Sequence, residues 1–118
     1  MTTEQKCYDK PMSWEITFYD EKEEEIIENW PVGIRATFFR IGIRIEENGP
    51  NLGMPLTRSM GDGLFEIRAR GKEGIGRSLF CTLVGRRVVI LNSFIKKTQK
   101  TPQREIEKAR ARMKEVKS

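Results

Sequence analysis

The 118-residue chain contains no histidine. That removes the side chain whose ordinary pKa lies nearest neutrality, so any acid–base chemistry falls to lysine, carboxylate or hydroxyl groups. Cysteine is scarce, with two in the chain. Cys7 lies in a polar leader and Cys81 in an apparent strand, and nothing pairs them at metal-ligand spacing. Neither a disulfide framework nor a metal site is expected, and a reducing compartment is the simpler assumption. Long hydrophobic runs are missing too. The N-terminus, MTTEQKCYDKP, has no apolar signal core, and no run approaches the ~20 apolar residues of a membrane helix. These absences lead us to expect a cytoplasmic protein with no cofactor, no metal and no membrane partner.

What is present is charge, unevenly placed. One third of the residues are charged and the net charge is +5. Residues 1–56 carry 6 Lys and Arg against 11 Asp and Glu, whereas residues 57–118 carry 16 against 6. The basic half suits a polyanionic partner. The length allows one domain with a core of its own, expected over residues 14–118 behind a flexible leader of residues 1–13.

Periodicity supplies the elements. In WEITFYD, Trp14, Ile16 and Phe18 alternate with Glu15, Thr17 and Tyr19, as in a half-buried strand. Asp20 and Glu23 make a D-x-x-E start signal, and the acidic run that follows suits a first helical turn. That helix is expected to reach Asn29 or Trp30, burying Ile26, Ile27 and Trp30, with Pro31 interrupting it. A second helix is expected over residues 32–47. Its main stripe is Ile34, Phe38, Ile41 and Ile45, widened by Val32, Ala36, Phe39 and Ile43, and Asn48-Gly49-Pro50 stops it. LFEIRARG, IGRSLFCTLV and RVVILNSF read as three strands joined by short turns, an antiparallel meander. Thr101 is expected to cap a last helix with Pro102 at its first position. Ile106, Ala109, Met113 and Val116 mark its buried face, with Lys108, Arg110, Arg112 and Lys114 on a wet one. The fold class is α+β, in the order β-α-α-β-β-β-α. One mainly antiparallel four-stranded sheet carries a helical hairpin on one face and a basic face on the other.

On that basic face, Glu66, Arg68 and Arg70 oppose the core set Phe65, Ile67 and Ala69. Arg77 punctuates the next strand, and Lys96, Lys97 and Lys100 follow the last. Such a cluster suits a phosphodiester: arginine forks match phosphate oxygens, lysine adds a compact charge, and crowded cations depress each other's pKa. A solvated sheet edge is the plain alternative, and it is the better reading for Lys100, Arg86 and Arg87 taken singly. Phe80 would serve either as a core residue or as a base-stacking platform.

GDGLFEIRARGKEGIGRSLF followed by VVILNSFIKKTQKTPQREIEKARARM resembles the RelE/HigB superfamily of bacterial toxins, nearest to its phage-associated HigB-like branch. The matching pattern is Asp62-Gly63-Leu64, Glu66-Ile67-Arg68, Arg77, and the run from Phe94 to Pro102. The resemblance implies a RelE-like fold and an mRNA endonuclease acting in the ribosomal A site. It also implies contact with ribosomal RNA and silencing by a cognate antitoxin, usually of helix-turn-helix type. Cleavage in the family proceeds by metal-independent attack of the ribose 2′-hydroxyl on the adjacent phosphate. By position, Arg68 and Arg70 would grip the RNA backbone with Lys100 and Phe80 beside them. Arg77 would stabilise the transition state, and Lys96 and Lys97 would occupy the catalytic basic position. Where many relatives have a histidine this chain has Asn92-Ser93, and where they have an aromatic hydroxyl it has Phe80. The proton therefore falls to a lysine, Lys96 ahead of Lys97. The alternatives are a toxin of the same fold that blocks a protein such as gyrase, and a non-catalytic RNA-binding module.

Overall fold

The computed structural model describes residues 13–96 and 100–118. Expectations for the leader and for Lys97 lie outside the described residues. The elements are β1 (Glu15–Phe18), α1 (Glu21–Glu28), α2 (Val32–Asn48), β2 (Thr57–Gly61), β3 (Leu64–Gly71), β4 (Gly74–Leu83), β5 (Arg87–Lys96) and α3 (Gln103–Lys117). They form one α+β unit around a five-stranded sheet of order β1-β5-β4-β3-β2. β1 pairs parallel to β5, and the other neighbours are antiparallel.

The fifth strand, β2, corrects the expected four. TRSMG has little hydrophobic alternation, yet Asp62-Gly63 folds it back onto β3. Both turn residues have positive φ, 53° and 85°, the geometry of a two-residue hairpin turn for which Asp-Gly is the favoured dipeptide.

The helical hairpin forms as its signals require. The Asp20 carboxylate accepts the Glu23 amide at 3.0 Å and caps α1. Gly49, with φ 91°, closes α2 by donating to the Ile45 carbonyl. Ile27, Trp30, Ile34, Phe38, Ile41 and Ile45 pack on Ile67, Ala69, Phe80, Val88 and Ile90 of the sheet. Gly76 is required under this layer, because a Cβ there would lie 2.6 Å from the Trp30 ring. The buried stripe of α2 is narrower than expected: Val32, Phe39 and Ile43 are exposed, as is Ile26 on α1. A helix lying on a sheet hides only its central stripe.

The opposite face of the sheet is not an open basic surface. α3 lies across it, and Leu64, Leu79, Cys81, Val89, Leu91 and Ala109 make a second core, with Ile106, Met113 and Val116 packed against it. The reason is in β4 and β5, which are apolar on both faces, and such strands need cover on both sides. Arg110 and Arg112 help to fasten α3 rather than forming a wet face. Arg110 donates to the carbonyls of Met60 and Gly61 at 3.1 and 3.3 Å. Arg112 donates to Glu23 at 2.8 Å and to the Leu91 carbonyl at 2.7 Å, and lies 4.4 Å over the Tyr19 ring. Lys108 and Lys114 are exposed as expected.

Candidate nucleic-acid interface

Strand register builds the site. Across β3, β4 and β5, Arg70 aligns with Ile75 and Lys96, and Arg68 with Arg77 and Phe94. The Arg70–Ile75–Lys96 row lies at the margin of the sheet face that α3 crosses, and the inner row runs under it, with Arg77 fully buried and Phe94 packed against the second core. Lys96 reaches that margin because of a bulge. Val89 and Leu91 face α3, so strict alternation would send Phe94 and Lys96 to the hairpin side. The pairing shifts by one residue between Leu79↔Asn92 and Phe80↔Ile90. The extra residue reverses the parity and turns Lys96 toward the arginines, a recognised effect of β-bulges.

At the inner end of the rows sits a buried polar cluster centred on Glu66, which is fully buried along with Arg77. One Glu66 oxygen lies 3.6 Å from Arg77 Nη1 and accepts the Thr101 hydroxyl at 2.5 Å. The other lies 3.4 Å from Arg58 Nη2 and 3.9 Å from Arg68 Nε. Thr101 is both donor and acceptor, since Arg77 Nη1 donates to its oxygen at 3.3 Å. Thr101 therefore does not cap α3: Pro102 stands at the cap position and makes no side-chain capping bond. Its hydroxyl is turned inward and ties the start of the helix to the sheet. One carboxylate thus holds a fan of three guanidiniums, leaving a net positive cluster. Burial, and then the charge of Arg77, pull the Arg68 guanidinium below the ordinary arginine value against the opposing pull of Glu66. An arginine so placed still keeps its proton at neutral pH.

Outward from the cluster, the surface is concave and basic. A cleft of about 160 Å³ is lined by Arg68, Arg70 and Ile75 with Thr37, Pro55 and Leu56. Arg70 and Ile75 also line the next hollow, with Lys72, Glu73 and Lys96, and Lys96 lines a third with Lys100, Thr101, Pro102 and Gln103. Shared walls join the three into one track from the β2–β3 edge to the start of α3. Among the described residues, Arg70, Lys96 and Lys100 have no ion pair or side-chain hydrogen bond.

Of the residues singled out in the sequence, Arg68, Arg70, Arg77, Lys96 and Lys100 gather here. Two expectations change. Phe80 is fully buried on the hairpin side, stacked on Phe65 with ring centroids 5.4 Å apart, so it offers no face to a base. Arg77 has no exposed surface, so its guanidinium lies beneath the basic surface and is not part of it. Three participants were missed. Arg58 lies on the unrecognised β2, and the Asp62-Gly63 turn was the signal that would have found it. In the sequence Glu66 read as a poor base among the arginines and not as their anchor, and Thr101 as a cap.

Comparisons with known proteins agree with this architecture. A family model described as phage-derived protein Gp49-like (DUF891) matches residues 25–114. No curated protein matches the chain. Among solved structures, the free-state structure of an E. coli toxin RelE carrying two arginine-to-alanine substitutions superposes with a TM-score of 0.61. It is 16% identical in sequence, and the match covers 86% of this chain and 99% of that one. The family match spans most of the chain and the structural match nearly all of the described fold, so the protein belongs to the phage-derived Gp49-like family and has the RelE fold.

Proposed function

We propose that the chain is the toxin of a toxin–antitoxin module, an endoribonuclease that cuts mRNA in the ribosomal A site. The observation that carries this reading is the basic track, in which Arg70, Lys96 and Lys100, without an ion pair among the described residues, stand beside Arg68 and the buried Glu66–Arg77 cluster on the RelE fold. In the reaction, the ribose 2′-oxygen bonds to the adjacent phosphorus and the bond to the 5′-oxygen breaks. A cyclic 2′,3′-phosphate and a 5′-hydroxyl result. One proton leaves the 2′-hydroxyl and one is delivered to the departing 5′-oxygen.

Arg68 and Arg70 hold the phosphate oxygens. The Arg77 guanidinium, fixed by Glu66 and Thr101, adds a permanent positive charge behind them as the phosphorane gains negative charge, an arrangement that needs no reorganisation. Glu66 is unsuited as a base, because it is enclosed by three guanidiniums and the Thr101 hydroxyl. Lys96 is the group placed to exchange protons with the ribose and leaving oxygens. A positioned acid–base group contributes roughly 10²–10⁴-fold, and charge stabilisation with alignment by the ribosome supplies the rest. The exposed track is also the surface an antitoxin must neutralise.

Primer extension on cellular mRNA after induction tests this reading. Cuts at A-site codons that disappear with Lys96→Ala are expected. Intact transcripts with DNA-damage signalling would instead identify a gyrase-type target, and RNA retention without cutting would identify a binding module.

A further inference from the structure

We propose that the cleft at the open edge of β3 is a nucleobase subsite, which receives the ring of one unpaired RNA base next to the scissile phosphate. The inference rests on the endonuclease reading and extends it from phosphate holding to base selection.

The cleft exists because β2 is shorter than β3. Their pairing ends at Thr57↔Ile67, and the Arg68 amide then bonds the Leu56 carbonyl at 2.9 Å. Two residues on, the Arg70 carbonyl is taken by the Thr37 hydroxyl of α2 at 2.9 Å. Between these two ties the sheet edge opens into a hollow of about 160 Å³. That is well under the roughly 300–1,000 Å³ of sites for drug-sized ligands, and it suits a single flat ring system better than a whole nucleotide.

Its chemistry is mixed in the way a base requires. Pro55, Leu56 and Ile75 give apolar surface, Arg68 and Arg70 give two guanidiniums, and among the described residues no carboxylate lines the hollow. Unpaired bases stack on guanidinium planes and on apolar walls, with their edges free for hydrogen bonds. A site for phosphate alone would have no use for three apolar residues. The location fits as well. Arg70 and Ile75 are shared with the hollow that contains Lys96, so a base seated in the cleft leaves its own phosphate between Arg70 and Lys96.

Two measurements decide the matter. In a titration followed by backbone amide NMR, nucleoside 5′-monophosphates are expected to shift the Leu56, Arg70 and Ile75 signals, to different extents for different bases. Ribose 5-phosphate is expected to shift only the signals near Lys96. If ribose 5-phosphate reproduces the full pattern, the subsite is wrong. The second uses Leu56→Trp, which fills the hollow, on ribosomes programmed with messages differing by one base in the A-site codon. The ratio of cleavage rates between codons should change by at least about tenfold while cleavage persists. An unchanged ratio overturns the subsite. If the wild type does not cut at all, the endonuclease reading fails, and the titration, which needs no ribosome, still judges the cleft.

Discussion

Neutralising Glu66 is the sharpest perturbation of the site's architecture. The carboxylate is fully buried and meets Arg58, Arg68, Arg77 and Thr101 at 3.4, 3.9, 3.6 and 2.5 Å. Glu66→Gln keeps the shape and removes the charge that faces the buried Arg77 guanidinium. Breaking a buried pair from one side costs about 3–5 kcal/mol. At roughly 4 °C per kcal/mol for a domain of this size, Tm should fall by about 12–20 °C. Arg58→Gln removes a guanidinium whose side chain is 38% exposed, and its expected cost is within about 1 kcal/mol. Calorimetry of both variants, and of Glu66→Gln combined with Arg77→Met, measures the coupling. The double variant should lose clearly less than the two single losses added together, because each single loss already includes the shared Glu66–Arg77 interaction. A Glu66→Gln protein melting within about 4 °C of the wild type, or strictly additive losses, would refute the placement of Glu66 as the anchor of the arginine fan.

Three further outcomes are expected. Lys96→Ala should lower the single-turnover cleavage rate about 10²–10⁴-fold, and Lys96→Arg, which keeps the charge but does not release a proton, should recover only part of it; full recovery by arginine would assign Lys96 to charge alone. Arg112→Ala should cost about 1.5–3 kcal/mol in denaturant unfolding, since it strands the buried Glu23 and frees the Leu91 carbonyl; an unchanged midpoint would remove the contact from the account of how α3 is fastened. Tyr19 donates to the Glu115 carboxylate at 2.6 Å, and that bond, with lesser help from burial, raises its pKa above 10.0. A raised folded value means the contact's contribution is fully present below 10.0 and is lost as pH rises through the folded value; ultraviolet titration should show tyrosinate forming earlier in Glu115→Ala than in the wild type.

The sequence and the structure part company for identifiable reasons. The helical hairpin was legible because Asp20, Gly49 and the stripe from Ile34 to Ile45 are local signals, and helix starts and stops are local physics. The β3–β5 meander was legible from its short turns. β2 was not, because TRSMG has almost no hydrophobic pattern and is held by its turn and its register on β3. The direction of Lys96 was hidden by the bulge near Leu91, since one extra residue reverses every later side chain. The cations Arg68, Arg70 and Lys96 could be grouped by strand order alone. That Arg77 and Glu66 would be buried beneath Thr101 could not, because it depends on where α3 crosses the sheet. Thr101-Pro102 carries a strong capping signal, yet in the structure a buried ionic cluster takes the hydroxyl instead.

The chemistry of the cut ends tests the central claim most directly. Purified wild-type protein would be added to ribosomes programmed with a defined message, and the fragments analysed by mass spectrometry. A cut within the A-site codon is expected, with a 2′,3′-cyclic phosphate upstream and a 5′-hydroxyl downstream. A message left intact on fully occupied ribosomes, or a downstream fragment bearing a 5′-phosphate, would contradict it.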